Sequence, residues 1–430
     1  MEHRMEMAAL EQELTVLRRE FHKFPESGWT EFRTTARIIE ELEKLGLTVR
    51  YGREIHVPEK MLGLPEPSVL ETCWQRAAGE TERHDLLGGM RGGFTGCVTV
   101  VEGALPGPTV GIRVDIDCND VEESRGEDHR PVKEGFRSVH SGCMHACGHD
   151  AHTAIGVGIA KVLAEKQASL RGRVVLAFQP AEEGLRGAAS LTAAGIFDQC
   201  DVLFGLHVGL VDAPVGTVAA GCRGFLASSK FDVTFHGRAA HAGLCPEEGR
   251  NAVAAAAKAT LDLLEIPSRS PGFSRVNVGT FHGGSGRNVI PAQAEIAVET
   301  RGETAEVNRD VEAEAVRLCE AAAKQYGCTC EVRVMGAAGT AVCDPALAAR
   351  TAEILERVEG VQKVLGEVTL AIGEDITTIM ERVQQRGGQA TELIFAMPLT
   401  APHHNEGFDV DEAVVGLAVR AMTELATNIY

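Results

Sequence analysis

Apolar runs and amphipathic segments alternate along the first 220 residues of the chain. Residues 34–46 repeat apolar positions with a helical period and end at a glycine, and residues 152–166 form a second helical pattern rich in small residues. Between these helices the sequence has short runs rich in β-branched residues, at 98–103, 109–117, 173–180 and 202–209. Buried strands that alternate with helices predict a three-layer α/β domain with a mostly parallel sheet.

The pattern changes after about residue 221. Strands of alternating apolar and polar residues now combine with two helical segments, 249–265 and 304–325, in the order β-α-β-β-α-β. This order predicts an α+β domain of ferredoxin-like type over residues 221–336. The α/β pattern resumes at 337, so the first domain is expected to be discontinuous, over residues 1–220 and 337–430. Residues 51–95 are rich in glycine and proline and are expected to be an insertion of loop and short helix.

Charge and cysteine content narrow the possible partners. The 430 residues carry a formal net charge of −19 with no basic block, which argues against binding to nucleic acid or to an anionic membrane. The first residues lack the basic start and apolar core of a secretory signal, and no apolar stretch is long enough to span a bilayer. We therefore expect a cytoplasmic protein that keeps its 12 cysteines reduced and acts on a small-molecule substrate.

Residues with ligand chemistry occur at several predicted strand ends. Cys147 and His149 flank a glycine, which in a loop lets both side chains turn toward one point. Two further histidines nearby, His145 and His152, are interpreted as packing or helix-capping residues. Convergence of Cys, His, Asp and Glu at one rim of a sheet predicts a metal site, because open α/β sheets place ligands at the carboxyl ends of their strands.

Two adjacent glutamates follow one of these strands directly. In such a pair one carboxylate can bind a metal while the other stays available as a base, so Glu182 and Glu183 are expected to divide these tasks. His207 lies near the end of the next strand, and His403 and His404 precede the last helix. Asp115 ends another strand and could hold a ligand histidine in orientation.

Three other interpretations stay open at this point. The metal could be purely structural, although structural zinc sites are closed four-ligand cages with no adjacent free carboxylate. Cys147 could act directly as a nucleophile. The chain could also be a non-catalytic partner of a related protein.

The combined motifs resemble the aminoacylase-like metallopeptidases. They are R-x-D-x-D at 113–117, M-H-A-C-G-H-D-x-H-T at 144–153, Q-P-A-E-E-G at 179–184, G-x-x-A-H-A at 237–242 and a late histidine before an acidic helix. The cysteine in place of the commoner bridging aspartate resembles the auxin-conjugate amidohydrolase branch. Longer stretches, such as the R-R-E-F-H segment and H-H-N-E-G-F-D, are similar to the A-type chains of aminobenzoyl-glutamate hydrolases.

The resemblance implies a dinuclear amidohydrolase with two divalent metal ions, zinc or manganese being favoured. It implies five metal ligands, with the cysteine bridging both ions: Cys147, His149, Glu183, His207 and His404. Glu182 would be the general base and Asp115 would support the cluster.

The resemblance also implies roles for the inserted domain. This domain would form a dimer, and its His241 would reach a neighbouring protomer's site and polarise the scissile carbonyl. Asn288 and Arg301, and from the sequence also Arg287, would hold the substrate carboxylate. The expected substrate is an N-acyl amino acid with an aromatic acyl group, p-aminobenzoyl-glutamate first, with indoleacetyl and simple acyl conjugates or an aromatic amine as alternatives. A homodimer is favoured, and a heteromer with a paralogous partner chain stays open.

Three positions depart from the family's common pattern. D-C-N stands at 117–119 where D-A-L is common, H-N-E at 404–406 where H-S-P is common, and G-E-D at 373–375 where S-E-D is common. The expected metal ligands are all retained, so these changes bear on substrate fit.

Overall fold

The structure is a computed structural model that describes residues 2–268 and 272–430. Met1, in the predicted N-terminal helix, and residues 269–271, in the predicted inserted domain, lie outside the described residues. The chain forms two compact units. The first comprises residues up to 223 together with 341–370 and 375–430, and the second comprises residues 224–340 and 371–374.

The described residues contain twelve strands and twelve α-helices. The strands are β1 Val49–Tyr51, β2 Cys97–Glu102, β3 Leu105–Asp115, β4 Arg171–Gln179, β5 Val202–Asp212, β6 Thr217–Arg223, β7 Ala227–His236, β8 Ser274–Gly283, β9 Gln293–Gly302, β10 Thr329–Ala338, β11 Lys363–Thr369 and β12 Gln389–Met397. The helices are α1 Glu2–Lys23, α2 Phe32–Lys44, α3 Pro67–Glu80, α4 His84–Met90, α5 Arg130–Lys133, α6 His149–Glu165, α7 Ala188–Ala193, α8 Ala252–Leu264, α9 Ala305–Gln325, α10 Pro345–Leu355, α11 Ile376–Gln385 and α12 Ala413–Asn428.

The first unit is built on an eight-stranded sheet in the order β1-β2-β4-β3-β5-β12-β6-β11. Its centre, β4-β3-β5-β12, is parallel throughout, while β1, β2 and the β12–β6 pair bring antiparallel neighbours. The central strands are continuous buried apolar runs because helices cover both faces. The predicted three-layer α/β fold with a mostly parallel sheet is confirmed.

Helix α6 packs on one face of this sheet, beside α1, α2 and α12. Close packing requires a glycine there, since a Cβ at Gly156 would lie 2.6 Å from the Phe178 ring of β4 and 2.9 Å from Val114 of β3. Gly111, an odd number of residues from Val114, faces the opposite side and meets Phe197. Helices α7 and α11 pack against each other, and α11 contacts β5 and β12.

The second unit contains a four-stranded antiparallel sheet in the order β10-β7-β9-β8, packed against α8 and α9. Its chain order is β-α-β-β-α-β, as the alternating pattern predicts. The unit extends past the predicted boundary at 336 and takes in residues 371–374. One reason is a backbone hydrogen bond of 2.8 Å from the amide of Leu226 to the carbonyl of Ile372.

The segment 51–95 is more helical than expected. Beside two short 3₁₀ turns it contains α3 and α4, with 14 and 7 residues. Among the described residues, every helix is too short or too polar to cross a lipid bilayer.

Candidate metal centre

The sheet of the first unit brings the predicted ligands to one edge. Strands β3, β4, β5 and β12 are parallel neighbours, so their carboxyl ends lie side by side. Asp115 ends β3, the Glu182–Glu183 pair follows β4, His207 lies in β5 and His404 follows β12. The segment before α6 adds Cys147 and His149.

Gly148 shapes the turn between Cys147 and His149. It has a φ of 90°, in the left-handed region, and caps the N-terminus of α6. A Cβ at this position would also lie 2.8 Å from the side chain of Val208. The glycine therefore allows both the turn and its close approach to β5, where the Cys147 thiol lies 3.5 Å from Nε2 of His207.

The two histidines are oriented by their Nδ1 atoms. Nδ1 of His149 lies 3.0 Å from the Asp117 carbonyl oxygen, and Nδ1 of His207 lies 2.8 Å from the Val208 carbonyl oxygen. A carbonyl only accepts, so each Nδ1 carries the proton and each Nε2 offers its lone pair to the site. Nε2 of His149 is buried and has no hydrogen-bond partner, as expected for a nitrogen that serves as a metal ligand.

Asp117 holds the loop with the two glutamates. Its carboxylate accepts the backbone amides of Glu182 and Glu183, each at 3.0 Å. Upstream, Ala181 has a φ of 53° and donates its amide to the buried Glu31 carboxylate at 2.8 Å. The loop is thus fixed by two buried carboxylates at its backbone, which leaves both glutamate side chains directed by it.

Glu183 faces the late histidine. Its Oε1 atom is buried without a hydrogen-bond partner and lies 3.4 Å from Nε2 of His404. His404 has a φ of 61°, and its amide donates to the Ala146 carbonyl at 2.8 Å, which ties this loop to the Cys147 segment. The neighbouring His403 instead places Nε2 3.3 Å from the Val208 carbonyl oxygen.

Three overlapping groups of ligand atoms lie at this edge, the atoms of each group within 4.8 Å of one another. They are Cys147 with His149 and His207, Cys147 with Glu183 and His404, and His149 with Glu182 and Glu183. Cys147 belongs to the first two, the arrangement that a bridging ligand requires. Mixed sulfur, nitrogen and oxygen donors suit zinc and neighbouring transition metals, so these residues fit a metal centre.

Cys147 itself is matched to a cation. Burial, together with the charge of Glu183, raises the pKa of its thiol to about 12. Such a thiol stays protonated at neutral pH unless a cation lies beside it, because a coordinated thiol loses its proton outright. A direct nucleophilic role for Cys147 is therefore disfavoured.

Asp115 contacts a histidine that the sequence reasoning assigned to packing. Its Oδ1 atom lies 2.5 Å from Nδ1 of His152 and 3.7 Å from Nε2 of His149. His152 in turn accepts the backbone amide of Val208 at 3.0 Å, next to His207. The signal was in the spacing, since residues three apart on a helix share a face. Asp115 thus reaches the site through His152.

Arg113 anchors this arrangement from the side away from the ligands. Its guanidinium lies 2.6 Å from Asp115 and 2.7 Å from Asp375, and all three side chains are buried. Burial opposes ionisation of Asp115, but the charges of His149, His152 and Arg113 outweigh it and hold its pKa well below the usual value. The carboxylate is therefore charged at neutral pH.

Three predicted residues belong to the second unit. His241 and Asn288 are exposed and adjacent, since the amide of Ala242 donates to the Asn288 carbonyl at 3.0 Å. Nδ1 of His241 accepts the amides of Gly243 and Leu244, both at 3.1 Å, which leaves Nε2 directed away from its own loop. Arg301 forms a two-pronged ion pair with Glu299, with both contacts at 3.0 Å.

Comparison with known proteins decides the family. The sequence pattern of Peptidase family M20/M25/M40 matches residues 111–428. The chain belongs to this family. Two relatives in it are 44% identical to the chain. Indole-3-acetyl-aspartic acid hydrolase of Enterobacter agglomerans aligns over 97% of this chain and 95% of its own length. The A component of p-aminobenzoyl-glutamate hydrolase from Escherichia coli, which is named as one of the subunits of that enzyme, aligns over 98% and 96%.

A solved structure in the same family agrees. The aminobenzoyl-glutamate utilization protein from Klebsiella pneumoniae superposes with a TM-score of 0.85 at 38% identity, over 99% of this chain and 97% of that one. The predicted resemblance is confirmed, and the chain is an amide-bond hydrolase of the M20/M25/M40 family.

Proposed function

We propose that this protein is a dinuclear metal amidohydrolase that releases an acidic amino acid from an aromatic acyl group. The observation that carries the proposal is the convergence of two ligand groups on Cys147, with Glu182 beside them. The proposed ligands are Cys147, His149, Glu183, His207 and His404. Two bound divalent ions, zinc or manganese, would supply Lewis acidity to the substrate carbonyl and to the attacking water.

Glu182 is the proposed general base. It is 6% exposed, and its backbone is fixed by Asp117, so its carboxylate keeps one position relative to the ligands. In this role Glu182 takes a proton from the attacking water and returns it to the leaving amine. Glu183 cannot share this role, because its Oε1 atom faces His404 within the ligand set.

The substrate class follows from what the two 44% relatives have in common. One acts on an indole-3-acetyl conjugate of aspartate and the other on a p-aminobenzoyl conjugate of glutamate, so both names combine an aromatic acyl group with an acidic amino acid. We assign the same class to this chain, with p-aminobenzoyl-glutamate as the first substrate and indole-3-acetyl-aspartate as the second candidate. Asn288 and Arg301 are proposed to hold a substrate carboxylate.

The two units are proposed to have separate tasks. Residues 1–220 and 337–430, as the sequence divides the chain, would form the metal-binding domain, and residues 221–336 the dimerisation domain. His241 would then stabilise the developing oxyanion in a neighbouring protomer's site. A homodimer satisfies this arrangement. The Escherichia coli relative is named as one component of a hydrolase with subunits, which makes a heteromer the alternative.

The test is a substrate panel on protein purified alone and supplied with zinc or manganese. We expect release of p-aminobenzoate or indoleacetate, with kcat/KM highest for one of the two aromatic conjugates and lowest for N-acetyl-glutamate, which lacks the aromatic group. A preference for N-acetyl-glutamate would contradict the substrate class.

The controls separate chemistry from assembly. Glu182→Gln with unchanged metal content should abolish release from every substrate. Activity that appears only after addition of a paralogous chain would favour the heteromer. Activity in Glu182→Gln equal to that of the unaltered protein would contradict the mechanism.

A further inference from the structure

A second pair of cysteines lies beside the candidate metal centre and has no part in it. Asn119 and Met144 form a short antiparallel bridge with hydrogen bonds of 3.0 and 3.1 Å. Cys118 and Cys143 each precede one of these paired residues, so both side chains project from the same face of the bridge. Cys118 is the middle residue of the D-C-N segment, where the family commonly has alanine.

Ser27 brings the two thiols together from a third segment. Its Oγ atom lies 3.6 Å from Sγ of Cys143 and 3.9 Å from Sγ of Cys118. The backbone also holds this contact, since the amide of Cys118 donates to the Glu26 carbonyl at 2.9 Å. The sulfur atoms are therefore neighbours in a framework fixed on both sides.

The two cysteines differ in access to solvent. Cys118 is 2% exposed, whereas Cys143 is only partly buried and follows two exposed residues, Ser141 and Gly142. Hydrogen bonds from Cys118 and Ser27, aided by the charge of Arg76, lower the pKa of Cys143 to about 6. Cys143 is thus the accessible thiolate of the pair, and Cys118 is the thiol held next to it.

We propose that Cys118 and Cys143 are a modification site, at which hydrogen peroxide forms a disulfide. The Cys143 thiolate attacks one peroxide oxygen, breaks the O–O bond and becomes a sulfenic acid, while the other oxygen leaves as water. The Cys118 sulfur then attacks the Cys143 sulfur, the S–O bond breaks, and the departing hydroxide takes the Cys118 proton as a second water. Two thiols are oxidised for each peroxide reduced to two waters.

The chain contains a matched control pair. Cys222 and Cys343 are also adjacent, since the amide of Cys222 lies 3.3 Å from Sγ of Cys343, and a hydrogen bond from Cys222 lowers the pKa of Cys343 to about 6. Both are 0% exposed. The two pairs therefore share adjacency and thiolate character and differ in access.

The test treats the full-length reduced protein with one equivalent of hydrogen peroxide, blocks remaining thiols and maps disulfides by mass spectrometry of a tryptic digest. We expect one link between residues 114–125 and 138–161, lost on reduction with dithiothreitol. Fragment ions must place it on Cys143, because Cys147 lies in the same peptide. The Cys222–Cys343 pair should react at least 10-fold more slowly.

Single variants assign the roles. Cys118→Ser should leave a sulfenic acid on Cys143 that dimedone traps, and Cys143→Ser should form no disulfide here. Cys73→Ser tests the third thiol near Cys143 and should leave the link unchanged. A link from Cys73 to Cys143, equal oxidation of the control pair, or no faster loss of the Cys143 thiol than of the partly buried Cys245 would each overturn the proposal.

Discussion

The candidate residues of the first unit are held from several sides, whereas those of the second unit are exposed and held by few contacts. His149, His207 and the Glu182–Glu183 loop each have a backbone or carboxylate partner at 2.8–3.0 Å. His241 is exposed, and its Nδ1 only accepts amides of its own loop. A chain that fixes its ligands but leaves His241 on the surface is suited to metal binding alone and to catalysis after assembly.

The largest effect is expected from the base of the first unit. Glu182→Gln preserves the volume of the side chain and its backbone hydrogen bond to Asp117 but removes proton transfer. General acid–base catalysis contributes about 100- to 10,000-fold, so kcat should fall by that factor. Metal content, measured by atomic emission, should stay that of the unaltered protein. A variant that loses metal in parallel with activity would show that Glu182 is a ligand instead.

The second unit supplies the next prediction. His241→Ala removes one oxyanion donor and should lower kcat by about 100- to 1,000-fold. Because the side chain is exposed, the free energy of unfolding should change by less than about 0.5 kcal/mol. Mixing this variant with Glu182→Gln protein should restore part of the activity, since each chain supplies what the other lacks. Mixtures as inactive as the separate variants would contradict a shared site.

A smaller effect is expected behind the ligands. His152→Ala removes the link from Asp115 to the Val208 amide and should weaken metal affinity about 10- to 100-fold, as loss of a partner that orients ligands does. His403→Ala is the matched control, since His403 also packs on the His207 ring but bonds only to the Val208 carbonyl. Titration with a competing chelator measures both. Equal losses in the two variants would show that ring packing, not the Asp115 link, matters.

The last prediction concerns stability, through a buried network near α6. His22 lies 2.8 Å from Asp150 and 3.0 Å from Glu123, with no side chain exposed. Burial lowers the pKa of His22, but the hydrogen bonds to these two carboxylates outweigh it and raise the pKa from 6.5 to about 9. A raised folded-state pKa gives a stabilisation that is complete below about pH 6.5 and is lost as the pH rises through about 9.

His22→Gln isolates this contribution. Urea unfolding should show that the stability gap between the unaltered protein and the variant narrows by up to about 3 kcal/mol between pH 6.5 and pH 9, since each pKa unit corresponds to about 1.4 kcal/mol. The difference between the two proteins removes groups that titrate in both. A gap that widens or stays constant over this window would contradict a charged His22.

Sequence reasoning worked where periodicity and strand ends carry the information. The parallel sheet follows from continuous apolar runs, and the edge that gathers Cys147, Glu183 and His207 follows from the strands' common direction. Helix α3 was missed because only Leu70 and Ala77 of it are buried, so its apolar period is weak. His152 was missed because its task depends on Asp115 and Val208, which only the fold brings to it.

The most direct measurement is the position of metal in crystals grown with zinc or manganese, by anomalous scattering. The account predicts two ions, both within bonding distance of Cys147, one also bound by His149 and His207 and the other by Glu183 and His404. A metal held away from Cys147, or a fully active protein without metal, would contradict it.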